Sequence, residues 1–132
     1  MSTDTTYLHS EITDIVIKCF YTVYNKLGFG FLEKVYENAL LIELREAGLH
    51  AAAQIPVQVY YKDKKVGSYF ADILVENKVI LELKTGDGLI IEEHGFQLIN
   101  YLRATEIEVG LILFFGKKPQ FKRKLFTNDL KK

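Results

Sequence analysis

The stretch "FADILVENKVILELKTGD" (residues 70–87) decides how this chain is read. Two apolar runs flank the polar triplet Glu76-Asn77-Lys78, the pattern of a β-hairpin. Yet Asp72, Glu82 and Lys84 stand among Ile, Leu and Val. In "VILELK", Ile80, Glu82 and Lys84 share one face of a strand, and Val79, Leu81 and Leu83 the other. A three-residue turn sets Val75 opposite Val79 and Asp72 opposite Glu82; a two-residue turn sends the carboxylates to opposite faces. The first register joins two acids beside a lysine. Like charges directly across a sheet repel, and burying ions is costly without compensation. Mg²⁺ offers that compensation, because it takes one or two carboxylates and keeps several waters. The same spacing also allows a plain ion pair of Lys84 with Glu82 or Asp72 at the sheet edge.

Outward from the hairpin, the periodicity predicts helices over residues 8–27 and from about Leu32 to Ala47, the first stopped at "LGFG" and the second at Gly48. "AQIPVQVYYK" alternates as a strand, with "KDKK" turning into "VGSYFADILV". After the loop "TGDG" a third helix runs roughly from Ile91 to Ala104. The buried-looking strand "EVGLILFF" and a basic strand or coil complete the chain. Three strands in hairpins, a helix and a further strand describe an α/β fold, its mainly antiparallel sheet flanked by helices. The helical crossover permits parallel pairing of the next strand.

The 132 residues are 48% hydrophobic and 26% charged, which suits one domain with one core. No apolar run approaches a bilayer span, and the short polar N-terminus "MSTDTTYLHSEITD" lacks the features of a secretion signal. The lone Cys19 forms no internal disulfide, and cytoplasmic residence is the expectation. Among Ile15, Val16 and Phe20 it reads as a small core residue. Net charge is zero, but the basic C-terminal tail from Lys117 holds seven basic residues and one acid. Such a tail suits contact with phosphates or simply a solvated end.

Two helical segments add polar groups. Gly30, Glu33 and Tyr36 in "GFGFLEKVYENAL" put Glu33 and Tyr36 on neighbouring turns. Glu33 also suits the helix dipole, and Tyr36 a core position whose hydroxyl needs a partner. In "EEHGFQLINYLRA", His94, Gln97 and Tyr101 form a polar stripe. His9, His50 and His94 show no metal-ligand spacing.

These blocks together resemble the GxxExxY proteins, a family of the PD-(D/E)XK nuclease-like superfamily. The similarity runs from about Ile12 to Leu125 and includes "ELREAGL", "IPVQVYYK", "ADILVENKVILELK" and "QLINYL". It implies a restriction-endonuclease-like αβββαβ core with a mixed central sheet. Asp72 matches the metal-binding aspartate of the superfamily, Glu82 and Lys84 its ExK pair, Glu33 its accessory helix glutamate, and Gln97 with Tyr101 the QxxxY of some branches. The sequence departs from the pattern at Ala71 (nominally proline), Phe29, Gly95 and Glu106. None of these removes a candidate catalytic group, and Gly95 is expected to loosen the helix near Gln97.

The resemblance implies a Mg²⁺- or Mn²⁺-dependent phosphodiesterase acting on DNA more than on RNA. Asp72, Glu82 and the Leu83 carbonyl would hold the ion, and Lys84 would orient water or stabilise the phosphorus. Glu33 and Gln97 would position these groups, with Tyr36, His94 and Tyr101 in support. The competing class is a nucleic-acid-binding or protein-interaction module with a weak or inactive site. Near-neutral charge favours a limited substrate surface or an unidentified protein partner, and exposed strands such as "QVYYK" allow a homodimer.

Overall fold

Two tight turns fold the middle of the chain into a meander. Lys62 and Asp63 both have positive φ (50° and 65°), the combination a two-residue hairpin turn requires. They join β1 (Ala51–Tyr61) to β2 (Lys64–Val75), so the turn is tighter than "KDKK" suggests. Glu76 and Asn77 also have positive φ, and the Lys78 N–H closes on the Val75 carbonyl at 2.9 Å. That turn leads into β3 (Val79–Thr85) in the three-residue register, with Val75 opposite Val79 and Ile73 opposite Leu81.

The computed structural model describes residues 8–88 and 92–131. Around the meander lie α1 (Ser10–Leu27), α2 (Glu33–Glu46), α3 (Glu92–Ala104), β4 (Val109–Phe115), β5 (Pro119–Leu125) and a short 3₁₀ turn (Asn128–Leu130). The expected helix start at Ile91 and the first seven residues of the polar N-terminus lie outside the described residues. The sheet order is β1-β2-β3-β4-β5, with β3 and β4 parallel and the other neighbours antiparallel. The α3 crossover therefore delivers the expected parallel pairing, and much of the basic tail becomes edge strand β5. The α3 helix runs unbroken through Gly95, where a Cβ would meet the Lys124 side chain at 2.7 Å. Gly95 thus makes room for β5 rather than loosening the helix.

Helices cover both faces of the sheet. On one, Val16, Phe20 and Val23 of α1 and Tyr36, Leu40 and Leu44 of α2 pack on Leu81, Leu83, Leu111, Leu113 and Phe115. Cys19 is buried there, as its neighbours in sequence suggest. On the other, Leu98, Tyr101 and Leu102 of α3 pack on Val57, Ala71, Ile80 and Ile112. β3 and β4 are buried on both faces, which is why they read as continuous apolar runs.

The outer hairpin breaks the two-residue period. Ala53 and Ile73 join the α1/α2 core, whereas Ile55 and Ala71, two positions along, join the α3 core. A regular strand keeps such positions on one face. The pairs Ala53↔Ile73 and Ile55↔Ala71 keep register, so both strands turn over together between them. The turnover falls at Gln54, which has a left-handed φ of 56°, and at Asp72 across from it.

Candidate active site

The β2–β3 ladder ends at Ile73↔Leu81, one residue before the next pair would be Asp72 and Glu82. Side chains take over the backbone bonding from there. The Leu83 N–H donates to Asp72 Oδ2 at 2.7 Å, and the Asp72 N–H donates to Glu82 Oε1 at 3.3 Å. The turnover at Asp72 splays β2 away from β3, and the two carboxylates fill the opening. Asp72 Oδ1 and Glu82 Oε2 then have no protein donor among the described residues. The Leu83 N–H points at Asp72, so its carbonyl faces the same edge in an extended strand.

This pair is electrostatically strained. Glu82 is 2% exposed. Burial first, then the neighbouring Asp72 and more distantly Glu33, push its carboxyl up to about 8; the Asp72 N–H and Lys84 pull only partly the other way. Asp72 is half-buried and also raised, chiefly by burial and then by Glu37, against the lowering influence of the Leu83 N–H, Lys84 and Lys34. Two buried carboxylates with open oxygens and too few counter-charges suit a hard divalent cation. No group of three or more His, Cys, Asp or Glu with metal-binding geometry occurs among the described residues.

Lys84 does not neutralise either acid as a plain ion pair. Among the described residues the one salt bridge is Lys34–Glu37. The Lys84 ammonium instead donates to Gln97 Oε1 at 3.0 Å, and Gln97 Nε2 donates to the Tyr101 hydroxyl at 2.9 Å. Gln97 and Tyr101 lie one helical turn apart, so α3 carries this relay over the end of β3. His94 lies on Phe114, ring centroids 6.0 Å apart, and Phe114 pairs in register with Lys84.

Glu33 arrives from the other face. Tyr36 is fully buried, stacked on Phe115 at 4.2 Å. Its hydroxyl donates to the Gly28 carbonyl at 2.6 Å and accepts the Phe31 N–H at 3.2 Å. This clamp holds the α1–α2 loop, in which Gly28 and Gly30 have φ of 71° and 113°. A side chain at Gly30 would meet no atom, so the backbone conformation alone requires glycine. With Tyr36 anchored, Glu33 stands in the first turn of α2, near enough to Asp72 and Glu82 for the charges to act on one another. Its own carboxyl is raised, by partial desolvation first and then by Asp72.

The sequence reading overlooked Glu37 and Gln54. Glu37 is 3% exposed, paired with Lys34 and accepting the Gln54 amide at 2.9 Å. It ties α2 to the strand turnover beside Asp72. The available signal was its i, i+4 spacing from Glu33, which places both acids on one helix face.

A family model described as the PD-(D/E)XK nuclease superfamily matches residues 10–124. The chain belongs to this superfamily. Its mixed five-stranded sheet with flanking helices is the PD-(D/E)XK nuclease fold. Among solved structures, "Crystal structure of SSO0001" superposes with a TM-score of 0.55 at 20% identity. That match covers 94% of this chain and 62% of the other, so the chain spans less than two thirds of that relative. Hjc of Archaeoglobus fulgidus, a Holliday junction resolvase from an archaeal hyperthermophile, gives a TM-score of 0.44 at 19% identity over 69% of this chain and 73% of that one. Among curated proteins, none matches the sequence. PD-(D/E)XK nucleases generally use divalent metal ions, in keeping with the acid pair between β2 and β3.

Proposed function

We propose that this chain, as a single domain over residues 1–132, is a metal-dependent nuclease of the GxxExxY branch that hydrolyses phosphodiester bonds, in DNA before RNA. The observation that carries the reading is the Asp72–Glu82 pair: two carboxylates bonded to backbone N–H groups, with Lys84 two residues beyond Glu82 in β3. Asp72, Glu82 and the Leu83 carbonyl would hold Mg²⁺ or Mn²⁺. When bound, the cation supplies Lewis-acid chemistry, acidifying water and offsetting charge on a phosphoryl oxygen.

The protein's own groups do the positioning. Gln97 fixes the Lys84 ammonium, leaving its remaining N–H bonds for a phosphate oxygen or the attacking water. Tyr101 fixes Gln97 in turn. Glu33, whose carboxyl is raised by desolvation first and then by Asp72, would help position the groups around the acids. Among the described residues no helix is long and apolar enough to cross a membrane. A cytoplasmic enzyme working alone, as a homodimer or with a protein partner fits this reading.

The test is cleavage of single- and double-stranded DNA and RNA by wild type and Lys84→Ala in Mn²⁺ and in EDTA. Wild type should cut only with metal, and Lys84→Ala should lose on the order of 10²–10³ in rate, as expected for one preorganised donor. Equal activity in both proteins refutes the assignment of Lys84. Nucleic-acid binding by wild type with no cleavage moves the chain to the class of binding modules.

A further inference from the structure

A groove of about 850 Å³ runs beside the relay, between α3 and the outer hairpin. It shares Gln97 and Tyr101 with the acid site and is otherwise walled by Gln58, Tyr60, Tyr69, Asn100 and Arg103, among others. The Tyr69 and Tyr101 rings lie 6.0 Å apart at 44°, and Tyr69 is 52% exposed. Tyr60, 63% exposed, stands at the outer end of the same hairpin. In the same wall, Gln58 Oε1 is shut away from solvent with no donor among the described residues. A buried acceptor without a donor costs stability, and a ligand N–H is one group that would relieve it.

We propose that this groove receives one unpaired nucleobase of the nucleic acid whose backbone lies at Lys84; the inference rests on the nuclease reading above. Three features select this occupant. The exposed Tyr69 and Tyr60 rings suit a planar ligand, since every base offers a π-face to stack. The Asn100 and Gln58 carboxamides line the groove and can pair with base edges, Gln58 by turning its buried Oε1 outward to accept from an exocyclic amine or ring N–H. The groove shares Gln97 with the relay that holds Lys84, so a nucleotide with its phosphate there can turn its base toward the exposed Tyr69. A base stacked within a duplex cannot enter. The groove therefore selects a flipped, bulged or single-stranded nucleotide next to the cut.

The experiment compares a continuous DNA duplex with the same duplex carrying one unpaired 2-aminopurine. Binding to the full-length protein is followed by anisotropy and by 2-aminopurine fluorescence, with Ca²⁺ in place of Mg²⁺. Wild type should prefer the unpaired probe by about tenfold, in the range expected for one base–aromatic stack, and should quench the fluorophore. Tyr69→Ala should bring the preference near unity and abolish quenching, whereas Tyr69→Phe should keep both. Gln58→Met, of similar length without an amide, should keep the quenching and weaken the preference severalfold. It serves as the test if Tyr69→Ala does not melt cooperatively. Equal affinity of wild type for both probes, with the duplex still bound, overturns the groove and leaves the nuclease reading standing. Full preference in both variants also overturns it, and failure to bind or cut any nucleic acid removes both proposals.

Discussion

Replacing Glu82 with glutamine should stabilise the metal-free protein at alkaline pH, although it removes a proposed metal ligand. Glu82 is 2% exposed, and burial beside Asp72 lifts its carboxyl from 4.5 to about 8. Because the folded value exceeds the unfolded one, the folded state holds an extra proton between them. Stability from this group is therefore complete below about pH 4.5 and is lost as pH rises through about 8. At about 1.4 kcal/mol per pKa unit, the loss has a ceiling of roughly 5 kcal/mol. A glutamine there still accepts the Asp72 N–H but buries an amide, which returns part of the gain and leaves about 2–3 kcal/mol. For a domain of this size that is on the order of 10 °C in melting temperature. Thermal denaturation in EDTA should show Glu82→Gln melting well above wild type at about pH 8.5, with the gap closing toward about pH 5. Saturating Mg²⁺ should then raise wild type and leave the variant unmoved, about 2.7 kcal/mol at a hundredfold excess over Kd. A variant less stable than wild type in alkaline EDTA, or a gap indifferent to pH, would refute the charge-strain argument.

Asp72→Asn and Asp72→Ala should differ from each other by about 1–3 kcal/mol in chemical denaturation, because only the alanine leaves the Leu83 N–H without an acceptor; equal midpoints would mean that this bond carries nothing. Tyr36→Phe should cost about 1–2 kcal/mol by releasing the Gly28 carbonyl and the Phe31 N–H. It should also slow cleavage with little change in substrate affinity, since Glu33 loses its fixed approach; an unaltered rate in a stably folded variant would detach the clamp from the site.

In sequence the acid pair has two possible registers, and the turn geometry selects the three-residue one; the sorting of charged and apolar residues in "VILELK" was legible by simple alternation. The parallel placement of β4 followed from the helical crossover. The turnover at Gln54 was not legible. "AQIPVQVYY" alternates without interruption, and glutamine carries no preference for the left-handed region; tertiary packing of two cores imposes it. Glu37 had a local signal in its spacing from Glu33, but its burial against Gln54 depends on how β1 packs back on α2. The choice of Gln97 over a carboxylate as the Lys84 partner likewise depends on where α3 crosses the sheet, which no local pattern encodes.

The substitution of carboxylates for ladder bonds between β2 and β3 bears on how such a domain can change over evolutionary time. Asp72 and Glu82 cap two backbone donors that the splayed strands would otherwise leave bare. A descendant that no longer needs chemistry cannot discard the acids for apolar residues without repairing the sheet in the same step. The cheap route to inactivity is an amide at either position, which keeps the cap and discards the charge, or a change at Lys84, whose Nζ hydrogen bond holds a side chain rather than the fold. Relatives that have shed activity should therefore differ first at Lys84, or carry Asn or Gln at the acids. The acids themselves should outlast the reaction.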